Sequence, residues 1–167
     1  MIRVGITRDE VTPMLDRLSE AMIDMTPVMA AIGSMLSEST MKRFQEGNDP
    51  DGNPWAPKTA ATLAAYEKRK QTIDLRPLFG PSNSLNSTIS FSVGADGASV
   101  EIGSNLIYSA VMQGGAAQGA FGRTVRGGPI PWGNIPARPF LGISEQDEAD
   151  LISLAEEWLG RVAQGSD

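Results

Sequence analysis

Carboxylates and arginines, with the glycine-rich stretches whose backbone could cradle a phosphate, are the groups of this sequence with the means to do chemistry, and they fall into a few groupings. Asp49, Asp51 and Asn53 alternate as in the first half of a calcium loop, where oxygen ligands at every second position surround the ion. The sixth position, which needs glycine for its sharp turn, is Pro54, and no glutamate stands at the twelfth, so a calcium site is not expected. Asp147 with Asp150, and Glu156 with Glu157, pair acids on what read as helix surfaces, where solvated carboxylates do not divide into acid and base. The glycines between 114 and 122 follow no strand and lack the lysine and hydroxyl of a phosphate loop, so they read as hinges. Arg123 and Arg126 could meet a nucleic-acid backbone, but two cations fall short of an aromatic-interleaved basic groove.

The missing residue types narrow the chemistry further. The 167 residues include no cysteine and no histidine, which removes disulfides, thiolate zinc sites, iron–sulfur clusters and every nucleophile–histidine arrangement. Carboxylate-only catalysis and Mg²⁺-type oxygen sites are what remain. We expect no catalytic residue, no cofactor and no metal ligand. Residues 1–6 lack the apolar core of a signal peptide, and no stretch approaches the ~18 unbroken apolar residues of a membrane span. A soluble protein made in the cytoplasm is the expectation.

Net charge is −6, unevenly spread. Residues 1–101 carry 10 basic and 13 acidic side chains, 102–144 three arginines and no acid, and 145–167 one basic and seven acidic side chains. A cationic middle and an anionic tail permit head-to-tail attraction between copies, although a solvated acidic helix beside a neutral loop is the plainer reading. Overall acidity argues against tight sequence-independent DNA binding, which needs many phosphate-neutralising cations.

The elements that must position these groups follow from periodicity. Ile2, Val4 and Ile6 alternate like a short strand. Val11, Met14, Leu15, Leu18, Met22 and Met25 recur at helical spacing. Thr26-Pro27 reads as an N-cap and first-turn proline, opening a helix through Met29, Met35, Leu36 and Phe44 toward Gly47. Seven of the eight methionines lie within the first 41 residues. Ordinary core is the plainer reading of that stripe; the other is a groove in which adaptable Met22, Met25 and Met29 face a partner. Thr59 caps a helix to Lys70, and Trp55, between two prolines, plugs the edge of a core. Ile89, Phe91 and Val93, then Asp96-Gly97, then Val100 and Ile102, form a hairpin. A short helix over 105–113 carries Tyr108. Ser144 and Asp147 make a capping box opening a helix with Leu151, Leu154, Trp158 and Val162 on its apolar face.

Two segments do not fit a compact core. Residues 114–133 hold seven glycines, two prolines and isolated Phe121, Arg123, Arg126 and Trp132, which reads as a flexible arm ordered by assembly. Ile135 to Ile143 follow, with Pro136 and Pro139 clamping Arg138 just before Phe140; proline geometry makes this an extended rod suited to docking. The whole predicts one α+β domain over 1–167: N-terminal helices and a C-terminal helix packed on a small antiparallel β-sheet, with the long Gly-rich loop at 114–133.

Four ordered blocks carry a resemblance. They are Phe44-x-x-Gly47 running into Asp49-Pro50-Asp51-Gly52-Asn53-Pro54-Trp55-Ala56-Pro57 with Thr59 and Thr62-Leu63, then Leu85 to Ile89, then Val100 to Asn105 with Tyr108-Ser109-Ala110, and last Ile135 to Ser144 leading into Asp147-Glu148. In these the chain resembles the virion morphogenesis, or tail completion, family of tailed bacteriophages, including Mu-like phages. It departs at Met112-Gln113, where the family often has histidine before the glutamine, and at Phe79-Gly80, where Pro81 is inserted.

The resemblance implies a structural protein of the virion, at the head–tail junction or tail end, assembled in the host cytoplasm into a ring of copies, a hexamer, around the DNA channel. Its implied neighbours are neck, tail terminator or tail tube proteins, with packaged DNA passing nearby without specific binding and no membrane. The arm, Pro136 to Phe140 and the Met-rich helix are the expected contacts; Asp51, Gly52, Trp55 and Tyr108 mark the structural motif. Two rivals remain at this point. One is a nucleic-acid-binding assembly factor using Arg123, Arg126 and Arg138; the other is a carboxylate hydrolase, which requires two facing acids ~5–10 Å apart.

Overall fold

The computed structural model describes residues 9–165, so the strand expected at Ile2 to Ile6 lies outside the described residues. The elements run α1 (Val11–Ile23), α2 (Thr26–Glu46), α3 (Ala60–Lys68), α4 (Ser84–Ser87), β1 (Ile89–Val93), β2 (Val100–Ser104), α5 (Ser109–Gly114) and α6 (Glu145–Gln164). The α+β class holds. The strands pair antiparallel, with Phe91 opposite Ile102 and Val93 opposite Val100. α2 lies on both strands and also on α6, while α1 packs on α6. α2 is therefore the element shared by the sheet and α6.

That sharing needs a close approach. A Cβ added at Gly33 of α2 would stand 2.3 Å from Cδ2 of Phe91, so only glycine lets the ring of β1 reach the helix. Proline 27 sits in the first turn of α2, where a missing N–H leaves no helix bond unmade. Thr26 is the first helical residue and not the cap; the Asp24 carboxylate accepts from its N–H at 3.0 Å and does the capping from two residues upstream. At the other end Gly47 takes a left-handed conformation and donates to the Arg43 carbonyl at 2.7 Å.

The core centres on Phe44. Its ring meets Trp55 at 5.6 Å, Phe79 at 6.3 Å and Phe140 at 5.3 Å between centroids, all tilted or edge-on as ring quadrupoles favour. Leu78, Leu85 and Ile89 complete it. Trp55 thus plugs the core as its flanking prolines suggest, with its Nε1 donating to the Pro139 carbonyl at 2.8 Å.

Two expectations are corrected here. The apolar stripe of α1 does not enter the core: no α1 residue is buried, and Val11, Leu15 and Met22 stand exposed, because α6 is the long helix it packs on. The Gly-rich segment is not a connection without pairing. Its two limbs run antiparallel, with bridges Ala116 to Ile135 and Arg123 to Pro129, and Phe121 donates to Ile130 at 2.8 Å. Backbone bonds of Ala116, Phe121, Thr124, Ile130 and Ile135 carry that ladder, and the glycines and prolines between them break any side-chain alternation that would announce it.

Candidate functional site

The end of α2 and the start of α6 are joined at Arg43. Its Nη2 pairs with Oδ2 of Asp147 and bonds Ser39 Oγ at 3.2 Å, while Nη1 donates to the carbonyls of Phe140 at 3.3 Å and Gly142 at 3.0 Å. One buried guanidinium therefore ties α2, the 135–143 rod and α6 together, which the fixed fork of arginine suits. Asp147 also closes the capping box with Ser144 and accepts from Ser39 Oγ at 2.5 Å. Burial alone would push its carboxyl up, but the hydrogen bonds from Ser39 and Ser144 with the Arg43 charge hold it below the usual carboxylate range. Asp147, expected on a solvated helix face, is buried because its partner comes from a helix far away in the chain. The general acid of a hydrolase needs a carboxyl raised to hold its proton, and Asp147, shifted the other way, does not fit that one role.

The rod docks on its own subunit. Phe140 is 1% exposed inside the aromatic core, and Arg138 is buried with Nε donating to the Ala56 carbonyl at 2.7 Å and Nη2 to that of Pro57 at 3.0 Å. Gln113 of α5 clasps the same strand of chain: its Oε1 accepts from Phe140 and Leu141 N–H, and its Nε2 donates to Leu141 O. As contact residues Phe140 and Arg138 are withdrawn, because the subunit itself has taken up their ring and their donors. The rival reading through Arg123, Arg126 and Arg138 loses one of its three cations by the same bonds. Pro136 remains exposed and Pro139 half-buried.

Of the motif residues, Trp55 is buried, while Asp51 and Gly52 lie exposed in the turn after Asp49, whose carboxylate accepts from Asn53 N–H at 2.8 Å. That bond explains the aspartate spacing as a self-closed loop rather than an ion cage. Tyr108 stands at the N-cap position of α5, partly exposed. Met25 and Met29 are half-buried beside exposed Met22.

The arm ends in a tight turn. Gly127 donates to Thr124 O at 2.8 Å and Thr124 N–H to Gly128 O at 2.7 Å, with Gly127 left-handed as three-residue hairpin loops require. Val125 and Arg126 therefore occupy the apex, with Val125 fully exposed. Phe121, Arg123 and Trp132 are also in solvent. The structure thus gathers the four arm residues on one ribbon, with Phe140 buried apart from them in the core and Trp132 lining one cleft together with Arg138.

A second surface lies at the α2–α6 junction. A cleft of about 400 Å³ runs between α2, the 48–52 loop and the start of α6, with Arg43 and Asp147 in its wall. Glu38, Glu46, Asp49 and Asp150 are its other acids and Lys42 its other base, and Lys42 lies 3.7 Å from Glu46.

A model of the phage virion morphogenesis family matches residues 6–160. The chain belongs to this family. It is also similar to the protein named Mu-like prophage FluMu G protein 2 of Haemophilus influenzae, at 28% identity over 159 residues, which make up 95% of this chain and 96% of the relative. No solved structure matches it. For this member of the virion morphogenesis family the role is a structural one in building the phage particle, and no helix among the described residues is long and apolar enough to cross a membrane.

Proposed function

We propose that the chain is a non-enzymatic subunit that completes the phage tail or joins tail to head, as a ring of its own copies around the DNA channel. A hexamer is the expected ring, with neck, tail terminator or tail tube proteins as its axial neighbours. One observation supports this above the others. An acid-free ribbon holds Phe121, Val125, Arg126 and Trp132 in solvent, where a monomer gains nothing from them. Val11, Leu15 and Met22 of α1, exposed among the described residues, are a second apolar surface of the same kind. Rings join unlike faces, and an acid-free arm and an acid-rich helix junction on one chain are unlike faces. The net charge of −6 suits a conduit, since weak attraction lets DNA pass.

Native mass spectrometry of the purified protein and of protein released gently from virions tests this. A closed oligomer is expected from the particle. A monomer in both samples contradicts it.

A further inference from the structure

The arm apex and the α2–α6 cleft are opposite in charge. Residues 114–133 hold two arginines and no acid. The cleft is lined by five acids and two bases. Arg43 is spent on Asp147 and Lys42 stands beside Glu46, which leaves Glu38, Asp49 and Asp150 as its excess charge. Glu38 and Asp150 are exposed, and no arm residue lines the cleft of its own subunit. The volume of about 400 Å³ lies within the roughly 300–1,000 Å³ of sites that enclose a small ligand, enough to take an arginine side chain.

We propose that the apex of one copy, Val125 and Arg126 with Arg123 behind them, seats in the Glu38–Asp150 cleft of the next copy. This rests on the ring reading and names the contact that builds the ring. The pairing is heterologous, so each subunit offers an arm on one side and a cleft on the other, and the series closes when the rotation permits. Two of the cleft's walls, α2 and the start of α6, are tied together by Arg43, so they are set before docking. The arm is held at its base, where a Cβ on Gly115 would meet the Ile135 carbonyl and the Ala137 amide at 2.7 Å, so only its outer limbs are left to adapt. Opposite charges meeting across an interface speed encounter and fix register, and the contact weakens as salt rises.

A charge swap tests it. R123E/R126E and E38K/D150K are made as separate proteins, each confirmed to keep the wild-type circular dichroism spectrum and melting temperature, since all four positions are exposed. At low salt each alone is expected to self-associate about tenfold or more weakly than wild type per reversed residue, the size of interfacial charge coupling. Mixed in equal amounts, the two are expected to regain assembly with alternating subunits in native mass spectra, because acid arms then face basic clefts and basic arms acid clefts. If either variant assembles alone like wild type, or the mixture stays apart while wild type assembles, this contact is overturned and the ring reading stands. If wild type is monomeric both free and in the particle, the ring reading falls and this contact with it.

Discussion

Arg43 and Asp147, 104 residues apart in the sequence, form an ion pair whose two side chains are 6% and 4% exposed. Two walls of the cleft meet through it: α2, the rod carbonyls and the first turn of α6 all bond one guanidinium or its partner. Removing Arg43 leaves a buried carboxylate uncompensated. Arg43→Met is expected to cost about 3–5 kcal/mol in urea unfolding, and R43M/D147L to recover part of that because no charge is then stranded inside. A single-variant loss below about 1 kcal/mol would contradict the burial of this pair.

The acid side of the stability profile follows from the same carboxylate. Asp147 is held below 3.8 in the fold, so its contribution is present above that unfolded-state value and lost as pH falls through the folded one. Asp74, lowered to about 2 by the side chain and N–H of Arg76, loses its contribution in the same direction. With no histidine in the chain, no side chain of ordinary pKa changes charge between about pH 5 and 8. Calorimetry is expected to give a flat melting temperature across that range and a decline below about pH 4. A decline beginning near neutrality would contradict the assignment of the acid limb to these carboxylates.

Gly33 gives a prediction whose sign is informative. Helix propensity alone makes alanine better than glycine by roughly 0.5–1 kcal/mol inside a helix. The Phe91 ring, 2.3 Å from where the new Cβ would stand, reverses this. Gly33→Ala is expected to destabilise by about 1–3 kcal/mol through overpacking, and Phe91→Ala in the same chain to relieve part of the added strain. A thermally stabilised Gly33→Ala would mean that the sheet does not rest on α2 as described.

The arm should behave oppositely. Val125→Ser and Trp132→Ser change exposed side chains, so unfolding free energy is expected to stay within about 0.5 kcal/mol of wild type. Self-association, followed by sedimentation, is expected to fall in both. Loss of stability without loss of association would make the ribbon part of the subunit's own core.

Much of this fold is written locally. Alternation of Ile89, Phe91 and Val93 around Asp96-Gly97 gives the hairpin, Ser144 and Asp147 give the capping box, and the prolines beside Trp55 point to a core plug. The candidate site was less legible. Asp147 as an acid in a first helical turn satisfies the helix dipole by itself, so nothing local says that Arg43 covers it. Phe140 and Arg138 sit in a rod stiff enough to dock, but stiffness does not say whether the dock is another copy or the chain's own core. The α1 stripe has a clear period, and period identifies an apolar face without naming what covers it. The arm hairpin had one usable signal, Phe121 and Ile130 flanking the Gly127-Gly128 turn, obscured by glycines on both limbs.

Reconstruction of intact virions by electron microscopy tests the central claim most directly. The expected result is a closed ring of this chain at the neck or tail end, with the 124–127 turn of each subunit touching its neighbour. Virions that carry no copy at either place would contradict it.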